Sequence, residues 1–256
     1  MLLRRITKHV KDQNWFAVGI DFVIVVVGVF IGIQVANWNE WRAERYTERQ
    51  ILLNIYGDLV ESSMAQARDV TFLEQQIQDQ SIVLKALDAC QVSPNEDVLF
   101  QRGIATLGWL NPPRHNSRTF QELTAAGRYD LITNAELARE LTELQSVVEW
   151  RGGVYDYVTN ILVMNRERVD QYVRYRIDRT IENPMVDNPP GGIDYDIEAL
   201  CRNDAVANAI SAIQYETRDR ANAYGSILEH YDAILPKIEN EIESRWNIDL
   251  KRERAL

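Results

Sequence analysis

Residues 16–36 read FAVGIDFVIVVVGVFIGIQVA, a run in which Asp21 is the one charged side chain. As a helix rising about 1.5 Å per residue it spans roughly 31 Å, the hydrocarbon thickness of a bilayer. A membrane span is therefore expected. The competing reading is a cleaved signal peptide, but its apolar core should be about 7 to 15 residues and end in a small-x-small site. Gln34 and Ala36 fit that rule poorly. Trp15 on one flank and Trp38 and Trp41 on the other supply the interfacial aromatic belt of a retained helix.

Orientation follows from the flanks. Arg4, Arg5, Lys8 and Lys11 stand against Asp12 and Asp21, a net of +2 for residues 1–36, so the remainder carries −12 of the chain's formal −10. The flank after the span (Glu40, Arg42, Glu44, Arg45, Glu48, Arg49) is balanced, and the positive-inside bias leaves the N-terminus in the cytoplasm. The expected organisation is a basic cytoplasmic arm over 1–15, a transmembrane helix over 16–37, a helical bundle outside the cytoplasm over 38–250, and a charged tail over 251–256. In a bacterium that outer compartment is the periplasm. A domain so acidic repels phosphate backbones, which argues against nucleic-acid binding.

Within the span, Gly28 and Gly32 form GxxxG, continued by Ala36. Asp21, seven residues before Gly28, falls within roughly 20° of the same helix face. Small residues let helix backbones approach, and an ionisable group in lipid seeks a partner. That face is expected to form a homodimer or to dock another envelope membrane protein. The alternative is that Asp21 reaches headgroup water and the glycines are incidental.

Beyond the span the apolar spacing is helical. Leu52, Ile55, Leu59, Val70, Leu73, Ile77, Leu84 and Leu87 step by three, four, seven or eleven residues, which predicts a helix over about 38–89 running straight out of the membrane. Ser93-Pro-Asn-Glu96 reads as a capping box opening a short helix that ends near Gly108, and Thr119-Phe-Gln-Glu122 as another, closed by Gly127. Thr133-Asn-Ala-Glu136 opens a long helix extending to Val173, with Gly152-Gly153 as its expected bend. A proline- and glycine-rich connector over 182–194 leads to a last helix capped by Asn203 and kinked at Pro236. No strand pattern of convincing length stands out. The predicted fold is all-α, an antiparallel bundle continuing from one transmembrane helix.

Val35-Ala-Asn-Trp-Asn-Glu-Trp41 and the block TFQELTAAGRYDLITNAEL over 119–137 resemble a bacterial family of unknown function, short single-pass helical proteins anchored at their N-termini. That resemblance implies an inner-membrane protein facing the periplasm. It brings no activity, ligand or catalytic residue.

Candidate chemistry is sparse. Cys90 and Cys201 are read as a disulfide in preference to two free thiols, chiefly because their compartment is oxidising; the connector before Cys201, which could cover roughly 65 Å at about 3.3 Å per residue, allows the bond. His9, His115 and His230 lie on separate elements, so no metal site is expected. Asp194-Tyr-Asp-Ile-Glu198 lacks the remaining ligands of a calcium loop and reads as a solvated helix entry. Without a nucleophile elbow or a phosphate-binding glycine loop, neither enzymatic activity nor a cofactor is expected. Trp109, Arg114, His115 and Arg118 gather in a loop around Pro112-Pro113 that reads as exposed; they either receive an anion or an acidic partner, or pair with the chain's own acids, and the second reading is preferred. Tyr155, Tyr157, Tyr172 and Tyr175 would line an interhelical pocket or edge the core. The leading functional expectation is a membrane-anchored interaction or scaffold protein. A small-ligand sensor acting through a partner subunit comes second, and an envelope hydrolase last.

Overall fold

In a computed structural model, residues 15–176 and 192–250 are described; the basic arm, the connector's prolines and the charged tail lie outside them. The fold is all-α. Helix α1 covers Trp15–Ala89, α2 Asp97–Ala105, α3 Arg118–Ala125, α4 Ala135–Asp170, α5 Ile197–Cys201 and α6 Asp204–Trp246. One turn of 3-10 helix, Tyr129–Leu131, precedes α4. The chain divides into two compact units, Met1–Gln50 and Ile51–Leu256. In the first, α1 is long and apolar enough to cross a membrane, and its apolar residues from Ile20 to Val35 are exposed.

The second unit is a bundle built on the stretch of α1 after Gln50, with α4 and α6. Antiparallel pairing of α6 with α1 follows from Gln80 Nε2 reaching Thr217 Oγ1 near one end and Tyr56 donating to Glu239 near the other. Helix α4 is likewise antiparallel to α6: Asn134 bonds Glu241 at its start, and Asn203, just before α6, bonds Tyr172, just past its end. Side-chain caps set these starts. Asn134 Oδ1 accepts from Leu137 N, and Asn203 Oδ1 from Ala205 N, each satisfying an orphan donor of a first turn. The last helix ends at Trp246, followed by a C-cap Asn247 in the left-handed region (φ 56°) whose N–H donates to Glu243 O.

Two apolar clusters fill the bundle. One joins Leu52, Ile55 and Leu59 to Leu141, Leu144, Tyr231 and Ile238; the other joins Val83 and Leu87 to Phe100, Leu162, Val206 and Ile210. Between them runs a buried polar waist of Gln76, Asp79, Gln80, Thr217 and Arg220. Arg102 neutralises Asp79 there with two hydrogen bonds of 2.5 and 2.8 Å, a bidentate geometry that offsets the cost of burying the carboxylate. Gly103 is required at this crossing, because a Cβ on it would stand 2.8 Å from Asp79 O.

Several local expectations shift. Ser93 does not cap α2; its carbonyl closes a turn with Glu96 N, and the helix begins at Asp97. The N-cap of α4 is Asn134, one residue later than the Thr133 reading. Thr119 lies inside the first turn of α3, its side chain drawn away to Asp58. Val173 leaves the helix to start a strand, Val173–Tyr175, paired antiparallel with Ile193–Tyr195. Three residues per strand are too few for a readable period-2 pattern. Helix α4 passes through Gly152-Gly153 unbroken.

Cys90 and Cys201 are joined, with Cα atoms 5.4 Å apart. Cys90 occupies the left-handed region (φ 50°) just past the end of α1, a position glycine usually takes. The bond closes a loop of 111 residues, for which chain entropy gives about 4.7 kcal/mol as an upper figure. Cys90→Ser in the full chain in detergent should therefore lower stability to denaturant by about 2–5 kcal/mol, and reductant should bring the parent to the same midpoint.

Candidate functional site: a strap clamped along the first helix

Asp21, Gly28, Gly32 and Ala36, expected to share a packing face in lipid, lie on one unbroken stretch of α1 and are all exposed. A Cβ added at Gly28 or Gly32 would meet nothing within 4 Å. Nothing in the chain's own described fold uses the close approach these glycines permit.

The segment read as an exposed loop is different. Residues 109–117 form an extended strap that runs antiparallel to α1, held by a ladder of polar side chains on one face of that helix, and leads into α3. Gln76 Nε2 donates to Trp109 O at 3.1 Å, and Asn111 Nδ2 donates to Asp69 Oδ1 at 2.9 Å. Arg114 N donates to Gln66 Oε1 at 3.2 Å, and Asn116 N to Ser62 Oγ at 2.8 Å. Asp58 ends the ladder, accepting from Asn116 Nδ2, Thr119 N and Thr119 Oγ1 at 3.0, 3.3 and 2.7 Å. Irregular backbone packed against helices needs partners for the polar groups it turns away from water. Pro112 and Pro113 help by bringing no N–H at all.

The other two long helices hold the opposite side. Tyr155 of α4 donates to Leu110 O, and Tyr224 of α6 to Asn111 O. Burial raises the Tyr224 pKa well above the phenol range, with the Arg220 cation opposing and Asp69 adding to it. The hydroxyl therefore stays a donor at any ordinary pH.

The four residues singled out in this loop part company. Arg114 is half-exposed and pairs with Asp69 at 3.1 Å. His115 is drawn inward: Nδ1 lies 2.8 Å from Tyr231 Oη and Nε2 lies 2.9 Å from Gln145 Oε1. Arg118 lies on the surface 4.0 Å from Glu122, and Trp109 is exposed. They build no common anion site; the basic groups serve the chain's own acids and amides. Beneath His115, between Asp58, Asn116, Ser117, Gln145 and the apolar wall of Ile55 and Leu144, the space is about 10 Å³, enough for one water molecule.

Burial pushes the His115 pKa below its usual 6.5, against the hydrogen bond that the imidazole donates to Gln145 Oε1 and the charges of Asp58 and Glu149. Its folded form thus resists protonation more than its unfolded form. The resulting stability is whole above about pH 6.5 and is lost as pH falls toward the lower folded value.

Other singled-out groups are dispersed. His230 Nδ1 faces Ser226 O, Asp196 caps α5 through Glu198 N and Ala199 N, and Asp194 pairs with Arg176. Tyr157 is exposed and Tyr175 bonds Asp170, so the four tyrosines line no single pocket. His9 lies outside the described residues.

Sequence reasoning missed the ladder itself, Asp58, Ser62, Gln66, Asp69 and Gln76. Its trace was present as a gap. The apolar stripe has no member between Leu59 and Val70, while these five residues fall within roughly 80° of one another around the helix. No family model matches this chain, nor does any curated protein or solved structure.

Asp58→Ala strips three hydrogen bonds from the end of the strap and should cost about 2–3 kcal/mol in chemical unfolding, whereas Arg118→Ala should stay within about 0.5 kcal/mol. His115→Gln should flatten the fall of melting temperature between pH 7.5 and 5 relative to the parent; an unchanged slope would show that the imidazole contributes nothing to it.

Proposed function

We propose that this chain is a membrane-anchored helical interaction or scaffold protein. Its first helix crosses a bacterial inner membrane once, with the basic arm in the cytoplasm and the bundle in the periplasm, as the resemblance noted from residues 35–41 and 119–137 also implies. Residues Asp21, Gly28, Gly32 and Ala36 form its packing face in lipid, toward a second copy or another envelope protein.

One observation carries this reading over ligand sensing. The bundle is filled by its own parts, since the strap occupies the groove between α1, α4 and α6 and leaves about 10 Å³ beneath His115. A small-molecule site normally encloses about 300–1,000 Å³ and buries most of its ligand. The larger recess, about 530 Å³ between α1 and α6, is an open groove whose lining includes Glu74, Arg218 and Glu229. The apolar surface left unused lies instead on the outside, along α1 before Trp41 and on α4. Function by surface contact suits such a distribution.

Alkaline carbonate should leave the full chain in the membrane pellet, and protease added to intact spheroplasts should digest the bundle. Release by carbonate, or a bundle protected from the protease, would overturn the anchored and exported reading.

A further inference from the structure

Along α4, Trp150, Tyr157 and Met164 recur at seven-residue intervals and are 61%, 68% and 63% exposed. A spacing of seven keeps the three on one side of the helix, the arrangement that a coiled-coil seam uses. The core-facing residues of α4, Leu141, Leu144, Val148, Val158 and Leu162, lie on another side. The stripe is therefore a second apolar face that the bundle leaves uncovered.

Three residues after each member stand Gly153, Asn160 and Glu167, all exposed. Gly153 is costly where it is, since a helix-interior glycine loses about 1 kcal/mol relative to alanine. A Cβ there, or at Gly152, would meet nothing within 4 Å, so nothing in the fold calls for its absence. The stripe thus carries a large bulge, Trp150, and a hollow three residues further on. In knobs-into-holes packing between parallel helices, the knob at one core position enters a hole bounded by the partner's residue three positions later. Trp150 of one copy then enters the hollow at Gly153 of another, and Asn160 meets its own equivalent, as a buried polar pair that fixes register.

We propose that the Trp150–Gly153–Tyr157–Asn160–Met164 stripe of α4 is the contact surface for a second copy of this chain, in a parallel pair. Its flanking charges agree with that occupant. In the parallel register Glu149 faces Val154 of the other copy, Asp156 faces Ile161, and Val163 faces Arg168, so no like charges oppose across the seam despite the chain's net −10. The contact closes before Glu167, where two carboxylates would meet across the axis. An antiparallel arrangement centred on Tyr157 would set Trp150 against Met164 and leave the hollow facing Ile161.

The area fits a tethered pair. Trp150, Tyr157, Val163 and Met164 together expose roughly 500 Å² per copy, given about 150–250 Å² for each aromatic. Two copies bury about 1,000 Å², the lower bound for a specific interface. Such a contact is weak between free molecules and gains from confinement to one bilayer, which raises effective concentration as a linker does. The proposal thus rests on the membrane-tethered reading above.

Asn160→Cys in the full chain tests it in native membranes under mild oxidation, because the native cysteines are bonded to each other. A disulfide-linked homodimer should form, absent with the exposed α6 control Asp219→Cys. Trp150→Ala, or Gly153→Trp to fill the hollow, should cut the adduct by about tenfold or more while circular dichroism shows the same helix content. A carbonate-resistant chain that gives no Asn160 homodimer, gives an adduct with a different protein, or pairs equally well in the two variants overturns the proposal and leaves the anchored reading intact. A chain that carbonate releases overturns both.

Discussion

The strap's hydrogen bonds to α1 are the interaction on which the bundle depends. Three long helices alone leave a groove, and a nine-residue segment with two prolines can lie along it only if its carbonyls and amides find partners. Asp58, Ser62, Gln66, Asp69 and Gln76 provide them from one side, and Tyr155, Tyr224 and Tyr231 from the other. Each of these groups would be costly to bury unpaired. The ladder and the strap therefore require each other, and together they fix the register of α4 and α6 on α1.

Within the second unit a buried polar waist separates two apolar clusters. The two apolar clusters supply non-directional cohesion, whereas the waist between them supplies geometry, through Asp79 with Arg102 and Gln80 with Thr217. The Cys90–Cys201 bond secures the start of α6 to the end of α1. An interior filled this way has little room for a ligand, which turns attention to the outer surfaces: the glycine-bearing face of α1 in its first unit and the heptad stripe of α4 in its second. The two lie on separate compact units, and each carries glycines that the chain's own packing does not use.

How much of this was legible varies residue by residue. Leu52, Ile55, Leu59, Leu73 and Leu87 announce α1 by spacing alone and are buried, because burying one stripe of a helix imposes that period. The Asn203 cap and the Gly127 stop are equally local, and both stand where the residues place them. The loop over 109–118 was legible in part: Arg114 meets one of the chain's own acids, Asp69, as preferred, yet the segment read as exposed is clamped along α1 and His115 turns inward. A proline breaks a helix wherever it sits, but whether the broken segment lies outside or inside a bundle depends on acceptors and donors elsewhere in the chain. Here they are supplied from about 30 to 120 positions away.

By itself, then, the sequence determined the apolar span, the all-helical class, the number of long helices and the composition from which caps are made. Each of these follows from short-range rules: hydrogen bonds within a helix, side-chain period and backbone freedom at single residues. Tertiary structure alone decided that the strap is clamped against α1, α4 and α6, that His115 is a hydrogen-bonded hub whose pKa burial lowers, and that the stripe of Trp150, Tyr157 and Met164 faces outward while Leu144 and Val158 of the same helix face in. Those outcomes depend on which surfaces meet, and two faces of one helix with similar apolar content cannot be told apart until the other helices have taken their places.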